Sequence, residues 1–444
     1  MKIGFAKTDI TPRVGVELCG FGPFLNRHSI GVRDRLWARA MAVEHDGQRA
    51  VIVSCDLVGV RRALTHAVRA RVADAAGVAP EAVMVHGTHT HSGPNTVGII
   101  GWGDEDPPYL EILPTRIAAA AIEAVKGLRE GILRHAEVPC EGIGQNREYD
   151  RDALPLCEVL ADDWRPLKPE LTDTTCHVVT AEADGKLLGF FSYFGCHPVV
   201  CCETTRYIHG DYAGVAGSLL ERESPGAVGL FLQGAQGDVN SCVVHKPEAD
   251  AMPALEIVAA RYATAVRAGL RQATPLAEDP IIRPALRTVR FSRKDWGTDR
   301  LRELLAGKEA TLHAASASDS DRGIRMEMVY ILALRGMLDR AGQGKSLVPE
   351  SEIQAIRIGP LTLLGAPFEI FQAIKNDVRK AARSRIPLVM GITNDSLGYA
   401  PDRTAAARGG YAADMVPLML GELPFANIHD ELVTALLDLE KSVA

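Results

Sequence analysis

Short apolar runs recur along this chain, and each stops abruptly at a glycine, histidine, aspartate or turn. Ala50 to Val53 precedes Cys55-Asp56, Val83 to Val85 precedes a histidine-rich loop, and Leu187 to Phe194 precedes Gly195-Cys196-His197. Gly229 to Leu232, Leu361 to Leu364 and Pro387 to Met390 stop in the same way at Gln233-Gly234, Gly365 and Gly391. Continuous runs of this length, without polar alternation, fit strands buried on both faces. Helical spacing alternates with them. Leu255, Val258, Tyr262, Val266 and Leu270 share one face after a start at Pro253. Arg61 to Ala75, Ile117 to Val125, Tyr212 to Glu221, Glu369 to Ala382 and Glu431 to Lys441 read similarly. Strand-then-helix alternation predicts an α/β fold, with mixed or mostly parallel sheets flanked by helices. In such folds reactive side chains collect on loops at the carboxyl ends of strands, and a metal site is expected there.

The chain reads as one catalytic domain over 1–444, with 272–352 set apart as an insertion or lid. That segment holds the charged stretch RFSRKDWGTDRLRELL, the small polar stretch AASASDSDRG, and a helical pattern from Met326 to Leu338. No fixed-period repeat is visible. A net charge of −7 without a basic run argues against nucleic acid as a partner. No stretch reaches the roughly 20 apolar residues that span a bilayer, so no membrane partner is expected. The opening MKIGFAKTDITP reads as a strand running into a turn at Pro12, not as an export leader. With nine cysteines, an odd count, and no Cys-x-x-Cys pair, this predicts reduced thiols and a cytoplasmic location.

The stretch HGTHTHSGPN, His86 to Asn95, concentrates three histidines within six residues. On an extended segment residues i and i+2 share a side, so His89 and His91 can face one site together. Neutral imidazole is the commonest metal ligand, and the pair is a natural seed for one. Other candidates are weaker singly. His197, before a proline, reads on its own as a structural histidine more readily than as a ligand. Glu369 fits a carboxylate at a helix N-terminus, interacting with the dipole. Tyr399 and Tyr411, each after a glycine, fit packing residues.

Taken in order, the motifs resemble the neutral ceramidase superfamily, metal-dependent amidases that cleave the N-acyl bond of ceramide. GTHTHSGP is the hallmark. IGFAKTDITP, GVRDRLWARAMAV, SCDLVG, GQNREY, FGCHPVV, HGDYAG, GAQGDVN, GAPFE and GYAPD followed by GGY extend the likeness over about residues 3 to 412. The resemblance covers the family's N-terminal catalytic domain and implies four ligands to one Zn²⁺ per chain: His89, His197, Glu369 and Tyr399. It implies that His91 lies beside the substrate and the water, that Tyr411 helps hold the substrate carbonyl, and that Arg147 sits at the site. Two imidazoles, a carboxylate and a phenolate form a shell that suits zinc, and zinc lowers the pKa of water from about 15.7 towards roughly 7. Hydroxide then attacks an amide carbonyl, His91 carries the proton, and Tyr411 and Arg147 stabilise the oxyanion.

The chain departs from the family pattern where Asn240 stands in the place of a serine. Asn240 is no nucleophile, although its amide can donate to a carbonyl. With no export leader and no immunoglobulin-like C-terminal segment, this predicts a divergent member acting on a small soluble amide and not on ceramide. A lactonase or esterase on the same site, or a non-catalytic binding homologue, are the alternatives. A homo-oligomer is left open. Asp56 is expected either to orient a ligand histidine or to cap the helix that follows, His86 to be structural, and Asp211 to cap its helix.

Overall fold

The computed structural model describes residues 1–276, 280–314 and 316–444. Three sheets carry the fold, and one sequence of elements builds each. In the first, β1 (Lys2–Asp9) pairs antiparallel with β2 (Trp37–His45), which turns tightly into antiparallel β3 (Gln48–Cys55). The chain then crosses through α1 (Arg62–Ala76) to β4 (Val83–Gly87), parallel to β3, and α2 (Pro107–Lys126) packs on the outside of the same sheet.

The second sheet repeats this order with β5 (Ile132–Pro139), β6 (Thr175–Ala183) and β7 (Lys186–Phe194), all antiparallel neighbours. It crosses through α3 (Asp211–Glu223) to β8 (Val228–Gln233), parallel to β7, and α4 (Glu248–Gln272) covers it. The third has β9 (Ile282–Val289), then the helices α5 (Thr298–Leu312) and α6 (Arg322–Gly342), then β10 (Ser351–Ile358) and β11 (Leu361–Gly365). Its crossover is α7 (Gln372–Ala381), leading to parallel β12 (Ile386–Met390), with α8 (Ile428–Ser442) packed outside. The sheets are mixed and flanked by helices, as the sequence implies.

The apolar runs explain the layering. Along β3, Ala50 and Ile52 face a core shared by all three sheets, while Val51, Val53 and Cys55 face α1 and α2. Phe191 and Tyr193 of β7 and Leu361 and Leu363 of β11 enter the same shared core. Phe190, Phe194 and Leu364 turn outward to their own helices. Each side chain so buried contributes about 1.5–3 kcal/mol, so neither face tolerates a polar residue without a partner. Each parallel pair lies at an edge of its sheet. Their carboxyl ends deliver the loops at residues 56–61, 88–106, 195–210, 234–247, 366–371 and 391–402.

Prolines concealed two helix starts. The second helix begins at Pro107, not Ile117, because Pro107 and Pro108 occupy first-turn positions and Pro114 is accommodated inside. The fourth begins at Glu248, with Pro253 inside it. Within 272–352, β9 belongs to the third sheet, α5 and α6 form a helical hairpin, and residues 277–279 and 315 lie outside the described residues.

Candidate metal centre

His89 and His91 follow β4, His197 follows β7, and Glu369 and Tyr399 lie beyond β11 and β12, so each of the three sheets sends a loop to one place. Glu369 and Tyr399 are direct neighbours. Glu369–Ile370 and Tyr399–Ala400 form a two-residue parallel ladder in which Glu369 is in register with Tyr399. Glu369 is therefore a strand residue, not the helix N-terminal carboxylate that its sequence context suggests. The helix starts later, at Gln372.

Both ring nitrogens of His89 and His197 can be assigned. His89 Nδ1 lies 2.5 Å from the Val58 carbonyl oxygen, and His197 Nδ1 lies 2.6 Å from that of Gln236 and 3.0 Å from that of Val239. A carbonyl oxygen only accepts, so each Nδ1 carries a proton, and in the neutral ring Nε2 is then the lone-pair atom. The two Nε2 atoms stand 3.3 Å and 2.9 Å from Glu369 Oε2. Burial holds His197 near pKa 4, despite its contact with Glu369. Burial alone would raise the Glu369 carboxyl, but the imidazoles against it hold it well below the usual carboxylate range. With both rings neutral, three lone-pair atoms converge on one point, an arrangement suited to holding a cation between them.

His91 differs. Its Nε2 lies 3.2 Å from His89 Nε2, and its Nδ1 is buried without a hydrogen-bond partner. The ligand atoms of His89, His91 and His197 lie within 4.8 Å of one another, so His91 is close enough to join a metal shell. It lacks the carbonyl clamp that fixes the other two, and burial, reinforced by His89 and His197, pushes its pKa well down. Without that clamp, no backbone carbonyl fixes the tautomer of His91.

These residues line one cavity of about 350 Å³. Arg147, Asn240, Tyr399 and Tyr411 line it too, so all eight residues singled out in the sequence stand around one space. Arg147 comes from the 140–174 connection, its guanidinium carbon 5.0 Å above the Tyr399 ring, with Nη2 buried and unpartnered. Burial would lower the Arg147 guanidinium, but Tyr399 and Glu369 hold it up, so it stays charged. Asn240 pairs with Gln145 on a short antiparallel ladder, which sets its side chain beside Arg147. The rest of the wall is mostly apolar, including Phe21, Val58, Trp102, Met326 and Met419.

The backbone is held under strain at the centre. His89 has φ 72°, a left-handed conformation that costs a non-glycine residue of order 1 kcal/mol. Its N–H bonds the Leu57 carbonyl at 2.8 Å, which fixes the turn. Gly20, at φ 116°, packs so closely that an added Cβ would lie 2.4 Å from His91 Cγ.

Residues 1–252 match the family described as neutral/alkaline non-lysosomal ceramidase, N-terminal. The chain belongs to that family. Among ceramidase-family relatives, it is 25% identical to the neutral ceramidase of Pseudomonas aeruginosa over 434 residues, covering 86% of this chain and 63% of that protein. It is 25% identical to the neutral ceramidase of Drosophila melanogaster over 264 residues, covering 54% of this chain and 36% of that one. The chain thus spans less than two thirds of the length of these relatives. The crystal structure of the Pseudomonas aeruginosa neutral ceramidase superposes with a TM-score of 0.73 at 20% identity, over 100% of this chain and 75% of that one. A ceramidase complexed with C2 superposes at 0.74, again with 20% identity, over 99% of this chain and 74% of that one. These likenesses establish the fold.

Several side chains around this ceramidase-family site differ from what the sequence suggests. Asp56 neither orients a histidine nor caps a helix. It accepts from Arg39 Nη1 at 2.8 Å and from the Trp37 N–H at 3.0 Å, and the Val58 carbonyl holds His89 instead. His86 is structural, as expected, accepting from the Gln233 N–H at 2.7 Å. Asp211 accepts from the Tyr212 N–H at 2.8 Å and also from Val200 and Cys201 N–H at 3.3 Å, so it ties α3 to the loop of His197. Arg27 has no signal in the sequence. It is 3% exposed and donates to the His91 carbonyl at 2.8 Å and the Thr205 carbonyl at 2.9 Å, fixing the backbone of the unclamped histidine.

Proposed function

We infer that the chain is a metal-dependent hydrolase of an amide bond. The convergence of two bare imidazole nitrogens and a carboxylate oxygen carries this reading. His89, His197 and Glu369 would hold the cation, with Tyr399 beside Glu369 as the fourth group. Zinc matches this mixed nitrogen and oxygen set, and when bound it would supply Lewis acidity and an ionisable water.

The chain's own residues divide the remaining tasks. Arg147 Nη2 and the Tyr411 hydroxyl donate to the substrate carbonyl oxygen as its negative charge develops. Asn240 orients the amide. His91 carries a proton to the departing nitrogen, and the products are a carboxylic acid and an amine. The apolar wall receives the acyl chain. Relatives bear the name neutral ceramidase, and ceramide is an amide, which supports the bond type. A cavity of about 350 Å³ is at the small end for organic ligands, which favours a single-chain, water-soluble amide over a two-tailed lipid.

Metal content measured by inductively coupled plasma mass spectrometry tests the reading. About one zinc per chain is expected in the wild type. His89→Ala, His197→Ala and Glu369→Ala should each lose it, together with hydrolysis of N-octanoyl amides. A wild-type protein that takes up no zinc, manganese or iron on reconstitution would overturn the hydrolase reading. Retention of metal by any of the three variants would overturn the ligand set. Matched amide and ester substrates of octanoic acid then separate an amidase from an esterase.

A further inference from the structure

The cavity wall carries one cationic side chain, Arg322, that the hydrolytic chemistry does not use. Among the described residues Glu369 is its only carboxylate, and that group faces His89 and His197. Against it stand Arg147 and Arg322. Arg322 is the first residue of α6, exposed yet lining the cavity, which puts it at the mouth. Among the described residues no carboxylate lies within ion-pair distance of it. Its neighbour Asp321 turns back to accept from the Gly323 N–H at 2.6 Å, and Glu327 pairs with Lys308 at 2.9 Å.

A short stretch of wall ties Arg322 to the reacting groups. A Cβ on Gly22 would meet Arg322 Nε and Nη2 at 3.7 Å, while one on Gly20 would touch the His91 ring. Cα atoms two residues apart are separated by at most about 7 Å, so His91 and Arg322 border the same patch of cavity. A free guanidinium there is a fork for a carboxylate.

We propose that the substrate amide bears an anionic group of the carboxylate kind, as in an N-acyl amino acid, and that Arg322 receives it. This rests on the amide-hydrolase reading and adds the substrate class. The acyl chain lies along the apolar wall, the amide at the histidines, and the carboxylate at the mouth. Hydrolysis consumes one water and releases a carboxylic acid and an amino acid.

The test compares N-octanoylglycine and N-octanoyl-γ-aminobutyrate with N-propyloctanamide, which has no carboxylate. Binding is measured by calorimetry and hydrolysis by release of octanoate from the zinc-loaded protein. At least one carboxylated amide should bind about tenfold more tightly than the neutral one. Arg322→Ala should bring them within about twofold, Arg322→Lys should keep part of the preference, and Arg300→Ala on the outer face of α5 should keep all of it. Equal binding of charged and neutral amides, or a preference that survives Arg322→Ala, overturns the proposal. Hydrolysis of all three amides at equal rates and affinities would sink the substrate class and leave the hydrolase reading intact. Arg322-dependent binding without hydrolysis would do the reverse.

Discussion

Asp56 shows how one residue divides stability from chemistry. It directly follows β3, two residues before the carbonyl that clamps His89, yet its carboxylate turns away from the site to Arg39. Arg39 also reaches Glu221 Oε1 at 3.0 Å, and side-chain exposure across this trio is 6% or less. Breaking a buried ion pair costs about 3–5 kcal/mol when the remaining charge is left unpaired, and because Glu221 stays on Arg39 the lower end applies here. Asp56→Ala should therefore lower unfolding stability by that order in urea denaturation, while metal bound per folded chain stays near the wild-type level. Loss of metal without loss of stability would instead make Asp56 an orienting group for His89.

Among the elements, the α5–α6 hairpin is the one that sets this chain's cavity apart from its scaffold. It fills the connection between the first two strands of the third sheet, where the other two sheets use the loops 10–36 and 140–174. All three connections reach the cavity, through Gly20 to Gly22, Arg147, and Arg322 with Met326. The hairpin docks through Leu301, Val329, Leu334 and Met337 against a cluster that includes Trp102, Tyr399 and Val416. Leu334→Ala removes a fully buried side chain, and a cost of about 2–5 kcal/mol is expected by denaturation. Because Tyr399 shares that cluster, amide hydrolysis should fall as well. Unchanged kcat/KM in the destabilised variant would mean that the hairpin docks without positioning Tyr399. β3, β4, β7, β8, β11 and β12 were legible as apolar runs, whereas β2, β5, β6, β9 and β10 were not. Arg39 interrupts the first, and half-exposed Arg134 and His135 break the second. His89 and His91 were legible from the clustering of histidines, although the left-handed turn at His89, φ 72°, and not an extended segment brings them to one site. Glu369 and Tyr399, brought together by a two-residue ladder, needed the family resemblance, and the carbonyls of Val58 and Gln236 leave no sequence signature because any residue supplies one.

Across the whole molecule, the triple order of strand, strand, strand, helix and parallel strand exists in topology without a repeat in the sequence. The three units lock together beside the site at His86. This residue lies in β4, its Nε2 accepts from the Gln233 N–H of β8, and its Nδ1 faces Thr393 Oγ1, 3.3 Å away, just beyond β12. Gln233 extends the joint by donating to the Thr88 carbonyl at 3.1 Å and the Cys196 carbonyl at 3.0 Å. A bare Nε2 is required for this joint, and burial pulls the His86 pKa to about 3 from the ordinary 6.5. Below pH 6.5 the unfolded chain gains a proton at His86 that the folded chain refuses. The stability His86 provides is therefore full above that pH and is lost as pH falls towards 3. By pH 4 the loss amounts to about 3 kcal/mol. His86→Gln can still accept from Gln233 but cannot titrate. Its unfolding free energy should fall less steeply than the wild type's between pH 7 and pH 4, so the gap between the two proteins narrows or inverts in acid. Parallel pH profiles for the two proteins would show that acid opens the joint between the sheets at some other group.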